Sequence, residues 1–111
     1  MNMEGKANQF MKSFFLTEKD FLVNLRKTRP DLFNDSNPKA VLARNLVLTR
    51  KKLRLSQKEV SVMARVPIAT YQRLEAAKDE NNPGLDRIIQ VSVALHTTVG
   101  DLFNTGRVAK R

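Results

Sequence analysis

The chain has 111 residues, enough for one domain with a short appendage. Cysteine is absent and His96 is the sole histidine, which excludes disulfides, thiolate metal sites, cysteine nucleophiles and a multi-histidine metal site. Lys and Arg number 20 against 11 Asp and Glu, and a net charge of +9 on so small a body attracts polyanions, with nucleic acid the leading candidate.

Residues 1–36 read as two short helices. Phe10, Met11, Phe14 and Phe15 repeat at helical spacing. The run Phe14-Phe15-Leu16 is too short for a signal peptide and has no small-residue cleavage site, and no stretch approaches the ~20 apolar residues of a membrane span. A cytoplasmic protein without a membrane partner is the expectation. Thr17-Glu18-Lys19-Asp20 resembles a capping box, Phe21, Leu22 and Leu25 form the next apolar face, and Pro30 ends that helix. Asn34-Asp35-Ser36-Asn37-Pro38 is a turn cluster and marks a boundary, which makes residues 1–36 an N-terminal extension.

Asn37 caps a helix that opens on Pro38 and runs to about Leu53. Val41, Leu42, Leu46, Leu48 and Leu53 are its expected inward positions, with Arg44, Lys51 and Lys52 outward. Ser56 and Glu59 form a capping box on a short helix that buries Val60 and Met63. Arg65-Val66-Pro67 is a turn. A helix then covers Ile68 to Ala76 with Tyr71 and Leu74 inward. Asp79 to Gly84 is a polar loop. Leu85, Ile88, Val91 and Leu95 give the apolar face of the next helix, and Thr98 caps a last one ending at Leu102-Phe103. The domain spans 37–104, and 105–111 is a basic, frayed tail. No strand and no repeat is evident.

The excess positive charge is concentrated. Residues 37–75 carry Lys39, Arg44, Arg50, Lys51, Lys52, Arg54, Lys58, Arg65 and Arg73, against only Glu59 and Glu75. A solvated face usually mixes the two signs more evenly.

Two helices joined by a tight turn let the second project its N-terminal side chains past the first. Such a helix fits the B-DNA major groove, where each base pair shows its own donor and acceptor pattern. Leu55-Ser56-Gln57-Lys58-Glu59-Val60, Arg65-Val66-Pro67 and Ile68 through Glu75 resemble the phage Cro/repressor-type (XRE) helix-turn-helix family. The resemblance continues through Asn82-Pro83-Gly84-Leu85, the Ile88 to Leu95 helix and Val99 to Phe103, about residues 39–103 in all. It implies an all-α, five-helix repressor-like domain, here with an N-terminal extension of one or two helices. It further implies a sequence-specific transcriptional regulator of double-stranded DNA, a repressor on a palindromic operator, acting as a homodimer and needing no cofactor.

Residue roles follow from the same resemblance. Ile68, Ala69, Thr70, Gln72 and Arg73 take base-reading positions. Ile68 and Ala69 suit a thymine methyl, and Arg73 suits guanine O6 and N7 or a phosphate. Arg44, Lys51, Lys52, Gln57 and Lys58 take phosphate-contacting positions, with Gln57 alternatively bracing a recognition side chain. Arg50 and Glu75 match an internal ion pair of the family, and the rival role for Arg50 is on DNA. Arg65 and Ala77 stand where the family has glycine, and Pro67 where it has a Ser or Thr cap.

Five of the six Phe lie in residues 1–33. This aromatic surface either enlarges the core or forms an interface, for a second copy or for another protein. The alternative function is therefore an antitoxin-like protein that binds a partner through residues 1–36 and autoregulates through its helix-turn-helix. Enzymatic activity is not expected, since there is no metal-ligand cluster, glycine-rich phosphate loop or nucleophile–base pair at recognisable spacing. His96 reads as an ordinary surface residue, for a lone histidine has no partner with which to form a switch.

Overall fold

Local signals set where each helix starts and stops. A computed structural model describes residues 18–78 and 82–106. The stripe at Phe10, Met11, Phe14 and Phe15, the Thr17 cap, Asp79, Glu80 and most of the basic tail lie outside the described residues. Helix α1 spans Glu18–Thr28 and stops short of Pro30, which cannot continue it. Pro30 instead opens a single 3-10 turn, Pro30–Phe33. Asn37 then caps α2, Pro38–Lys52, by accepting the Lys39 amide at 3.0 Å, with Pro38 at the first helical position.

Ser56 caps α3, Gln57–Ala64, through a reciprocal box. Its hydroxyl accepts the Glu59 amide at 3.0 Å, and the Glu59 carboxylate accepts the Ser56 amide at 2.8 Å. Helix α4 spans Ile68–Ala76, α5 spans Leu85–Ala94 and α6 spans Val99–Leu102. Thr98 caps α6 by accepting the Asp101 amide at 3.0 Å. Every regular element among the described residues is a helix, with no strand.

Helix α2 is the central element. One side of it packs through Leu42 and Leu46 against Val60, Tyr71, Leu74, Val91, Leu95 and Leu102, contributed by α3 to α6 and the residue following α5. Its other side packs through Ala43 and Val47 against Leu25 of α1 and Leu32 of the 3-10 turn. Burying Leu25 and Leu32 contributes about 1.5–3 kcal/mol each. Residues 18–36 are thus joined to the rest of the molecule by a second, smaller core.

Four expected orientations differ. Arg44 was placed outward but is only 6% exposed, because the 3-10 turn and the loop after it cover α2 there. Its Nη1 donates to the Leu32 carbonyl at 3.1 Å and to Asp35 at 2.9 Å, and its guanidinium lies over the Phe33 ring. Leu53, Met63 and Leu85 were placed inward and are exposed. Leu53 is the residue on which α2 ends. Helix α3 presents Val60, Ser61 and Ala64 to the core instead of Met63. Leu85 opens α5 before the turn that first reaches the core at Ile88. Tyr71 and Leu74 are buried, in keeping with their inward spacing.

Candidate nucleic-acid interface

The α3–turn–α4 unit is fixed from both ends of the turn. Arg65 adopts a left-handed conformation, φ 58° and ψ 41°, at the end of α3. Its amide returns to the Val62 carbonyl at 3.2 Å and the Val66 amide to Ser61 at 3.0 Å, a closure usually made with glycine. Val66 is buried, which sinks the turn into the core, and Pro67 precedes α4 without a side-chain cap. Ala77 ends α4 in the same left-handed region, φ 57°.

Glu75 is the hub. Its carboxylate accepts Arg50 Nε at 2.7 Å, Arg50 Nη2 at 3.0 Å and Gln57 Nε2 at 2.9 Å. Arg50 also donates Nη1 to the Leu55 carbonyl at 3.1 Å. One side chain therefore ties α2, α3 and α4 together. Burial opposes the charge on Arg50, but the hydrogen bonds and charge of Glu75 outweigh it and raise the guanidinium's pKa. Gln57 passes the connection outward, since its Oε1 accepts from Gln72 Nε2 at 3.3 Å. Gln57 thus links the Glu75 carboxylate to a side chain on the outer face of α4.

Beyond this hub α4 faces outward. Ile68 is 39% exposed, Ala69, Gln72 and Arg73 are exposed, and Thr70 is half-buried. Thr70 and Arg73 line a cleft with Asn82, Pro83, Gly84 and Arg87. Arg87 was missed in the sequence because it lies outside the strongly basic block. The available signal was its place in the first turn of α5, directly after the loop that follows α4.

The phosphate-contacting set divides. Lys58 is exposed in the first turn of α3, beside Gln57, and Lys51 is exposed in the last turn of α2. Lys52 lies about 200° around α2 from Arg50, and lines a groove with Leu22, Phe33 and His96 instead. Arg44 is enclosed as described. Gln57 meets Gln72 between α3 and α4, and Thr70 and Arg73 share a cleft with Arg87 of α5, whereas Arg44 and Lys52 line a separate groove.

The family model for helix-turn-helix proteins matches residues 48–102, the stretch that holds this arrangement. That stretch belongs to the Cro/repressor-type helix-turn-helix family. Neither a curated protein nor a solved structure matches the chain. The match begins within α2 and ends with α6, so the whole of residues 18–36 lies outside it. Membership makes the helix-turn-helix a DNA-binding unit of the kind found in transcription regulators. No helix among the described residues is long and apolar enough to cross a membrane.

Proposed function

We propose that this helix-turn-helix protein is a cytoplasmic repressor that binds a palindromic operator in double-stranded DNA as a homodimer. The observation that carries the reading is the outward face of α4, where Ile68, Ala69, Gln72 and Arg73 are exposed. Ile68 and Ala69 supply apolar contact for a thymine methyl, and Arg73 a bidentate donor for guanine. Lys51, Lys58 and Arg87 supply cations for phosphates, which set register without reading sequence. Occupying an operator that overlaps a promoter then blocks transcription.

A stripe on α5 supports the dimer. Leu85, Ile89 and Val93 recur four residues apart and are 62%, 41% and 67% exposed, and Val62 of neighbouring α3 is 68% exposed. An apolar surface of this kind favours a second copy. The antitoxin-like alternative has less support, because the extension uses Leu25 and Leu32 for the chain's own core.

Selection of bound duplexes from a random pool tests the reading. A palindromic consensus supports it, and recovery without any consensus overturns it. On the selected duplex, Arg73→Ala is expected to cost ~1–3 kcal/mol and relax preference at one base pair, while Lys51→Ala weakens all duplexes about equally. Identical behaviour of the two variants would refute the division between base and phosphate contacts.

A further inference from the structure

The C-terminal end of the recognition helix is held from outside the helix-turn-helix. Carbonyls in the last turn of a helix have no partner within it, and the helix dipole makes that end favourable for a cation. At the end of α4 the partner is Arg29, which lies between α1 and the 3-10 turn. Its Nη1 donates to the Glu75 carbonyl and its Nη2 to the Ala76 carbonyl, each at 3.3 Å. The guanidinium is itself held. Nε and Nη2 donate to the two oxygens of Asp31 at 3.1 and 2.9 Å, a paired fork that fixes the plane of the group.

A second contact joins the same two parts. Ala77, which ends α4, packs against the small cluster of Leu25, Leu32, Ala43 and Val47. The Glu75 side chain is meanwhile held by Arg50 and Gln57. Glu75 is therefore gripped at its carboxylate from α2 and α3, and at its backbone from the extension. The carboxylate contacts lie within the family's own matched stretch, whereas the backbone contact comes from residues beyond it.

We infer that Arg29 is a positioning residue for DNA reading, so that residues 18–36 brace the recognition helix and set how its outer side chains meet base edges. This rests on the proposed sequence-specific binding of DNA. Arg29 is not one of the side chains assigned to bases or phosphates, and it acts through the seating of α4. Base contacts depend on that seating more steeply than phosphate contacts do, because a bidentate hydrogen bond to a base edge tolerates less displacement than attraction between charges. The signature of the brace is therefore a loss of discrimination, with binding to unrelated DNA retained.

The test uses the full chain with two probes, a duplex recovered by random-pool selection and a scrambled duplex of the same length and composition. Arg29→Ala is expected to lower the ratio of the two affinities by about fivefold, the equivalent of one net hydrogen bond. Arg29→Lys keeps the cation but loses the paired fork, and is expected to recover part of the ratio. Asp31→Ala, which frees the guanidinium, shifts it in the same direction and by less. Amide exchange gives a readout that needs no DNA. In Arg29→Ala the amides of Gln72 to Ala76 should exchange faster, while those of α3 stay unchanged. A ratio equal to that of the unmodified chain overturns the inference and leaves the DNA reading intact, as does equal weakening on both duplexes. If the unmodified chain does not discriminate between the duplexes, the DNA reading fails and this inference with it.

Discussion

The hydroxyl of Tyr71 is fully enclosed and has no hydrogen-bond partner, although it lies beside the Arg50–Glu75 pair. Burial pushes the phenol above its ordinary pKa and the Glu75 charge adds to the rise. The linkage has a definite sign. Above about pH 10 the unfolded chain releases this proton while the folded chain keeps it, so folding stability falls as pH rises. From this residue the loss is about 1.4 kcal/mol per pH unit above 10, and Tyr71→Phe should be free of it. Urea unfolding of both proteins from pH 9 to 11 checks this, and parallel profiles would refute it. At neutral pH the same substitution should be near neutral, since it removes a hydroxyl that makes no bond. Glu75 behaves oppositely. Its side chain is 5% exposed and that of Arg50 is 14% exposed, so Glu75→Ala leaves a largely buried guanidinium without its counter-charge. The expected cost is ~3–5 kcal/mol, read from the urea midpoint. A cost below about 1 kcal/mol, the range of exposed pairs, would show that water reaches the pair more freely than its burial indicates.

At the scale of elements, the helix starts were legible because their signals are local. Asn37-Pro38, Ser56 with Glu59, and Thr98 each specify a cap within four residues of sequence, and each is formed. Buried faces were less legible. Helix α2 is covered on two sides, so Ala40 through Arg44 are all buried and no single stripe describes it. Arg44 could not be placed from periodicity, because its burial depends on Leu32 and Asp35, which arrive from another element. The turn between α3 and α4 is a further local feature. Arg65 holds φ 58°, where a side chain crowds the backbone and glycine does not. Arg65→Gly is therefore expected to stabilise the fold by about 1 kcal/mol, offset in part by the added freedom of the unfolded chain. An increase in the urea midpoint at constant slope checks this. A lower midpoint would mean that the Arg65 side chain contributes more than its backbone strain costs.

Across the whole molecule, the central motif was readable and its surroundings were not. The helix over Ile68–Ala76 and the pairing of Arg50 with Glu75 lie where the residue pattern placed them, whereas the contact between Gln57 and Gln72 was not specified by it. The hold of Arg29 on α4 spans 46 and 47 residues of chain and leaves no local trace. The basic block was likewise a guide to sign more than to position. Of its members, Lys58 is exposed on α3 and Lys51 at the end of α2, Arg44 and Arg50 turn inward, and Lys52 lines the groove beside Phe33 and His96. Binding should therefore be electrostatic but carried by only part of the net charge of +9. Each phosphate neutralised releases condensed counterions, so log K falls linearly with log salt at about 0.9 per contact. A dimer that neutralises ~6–10 phosphates gives a slope of ~−5 to −9. Affinity for the selected duplex, measured across a tenfold range of salt, gives the slope directly, and Lys58→Ala should make it shallower by about 1 per protomer. A flat response would remove electrostatics as the source of affinity. A steep slope unchanged by Lys58→Ala would place the phosphate-binding face elsewhere on the molecule.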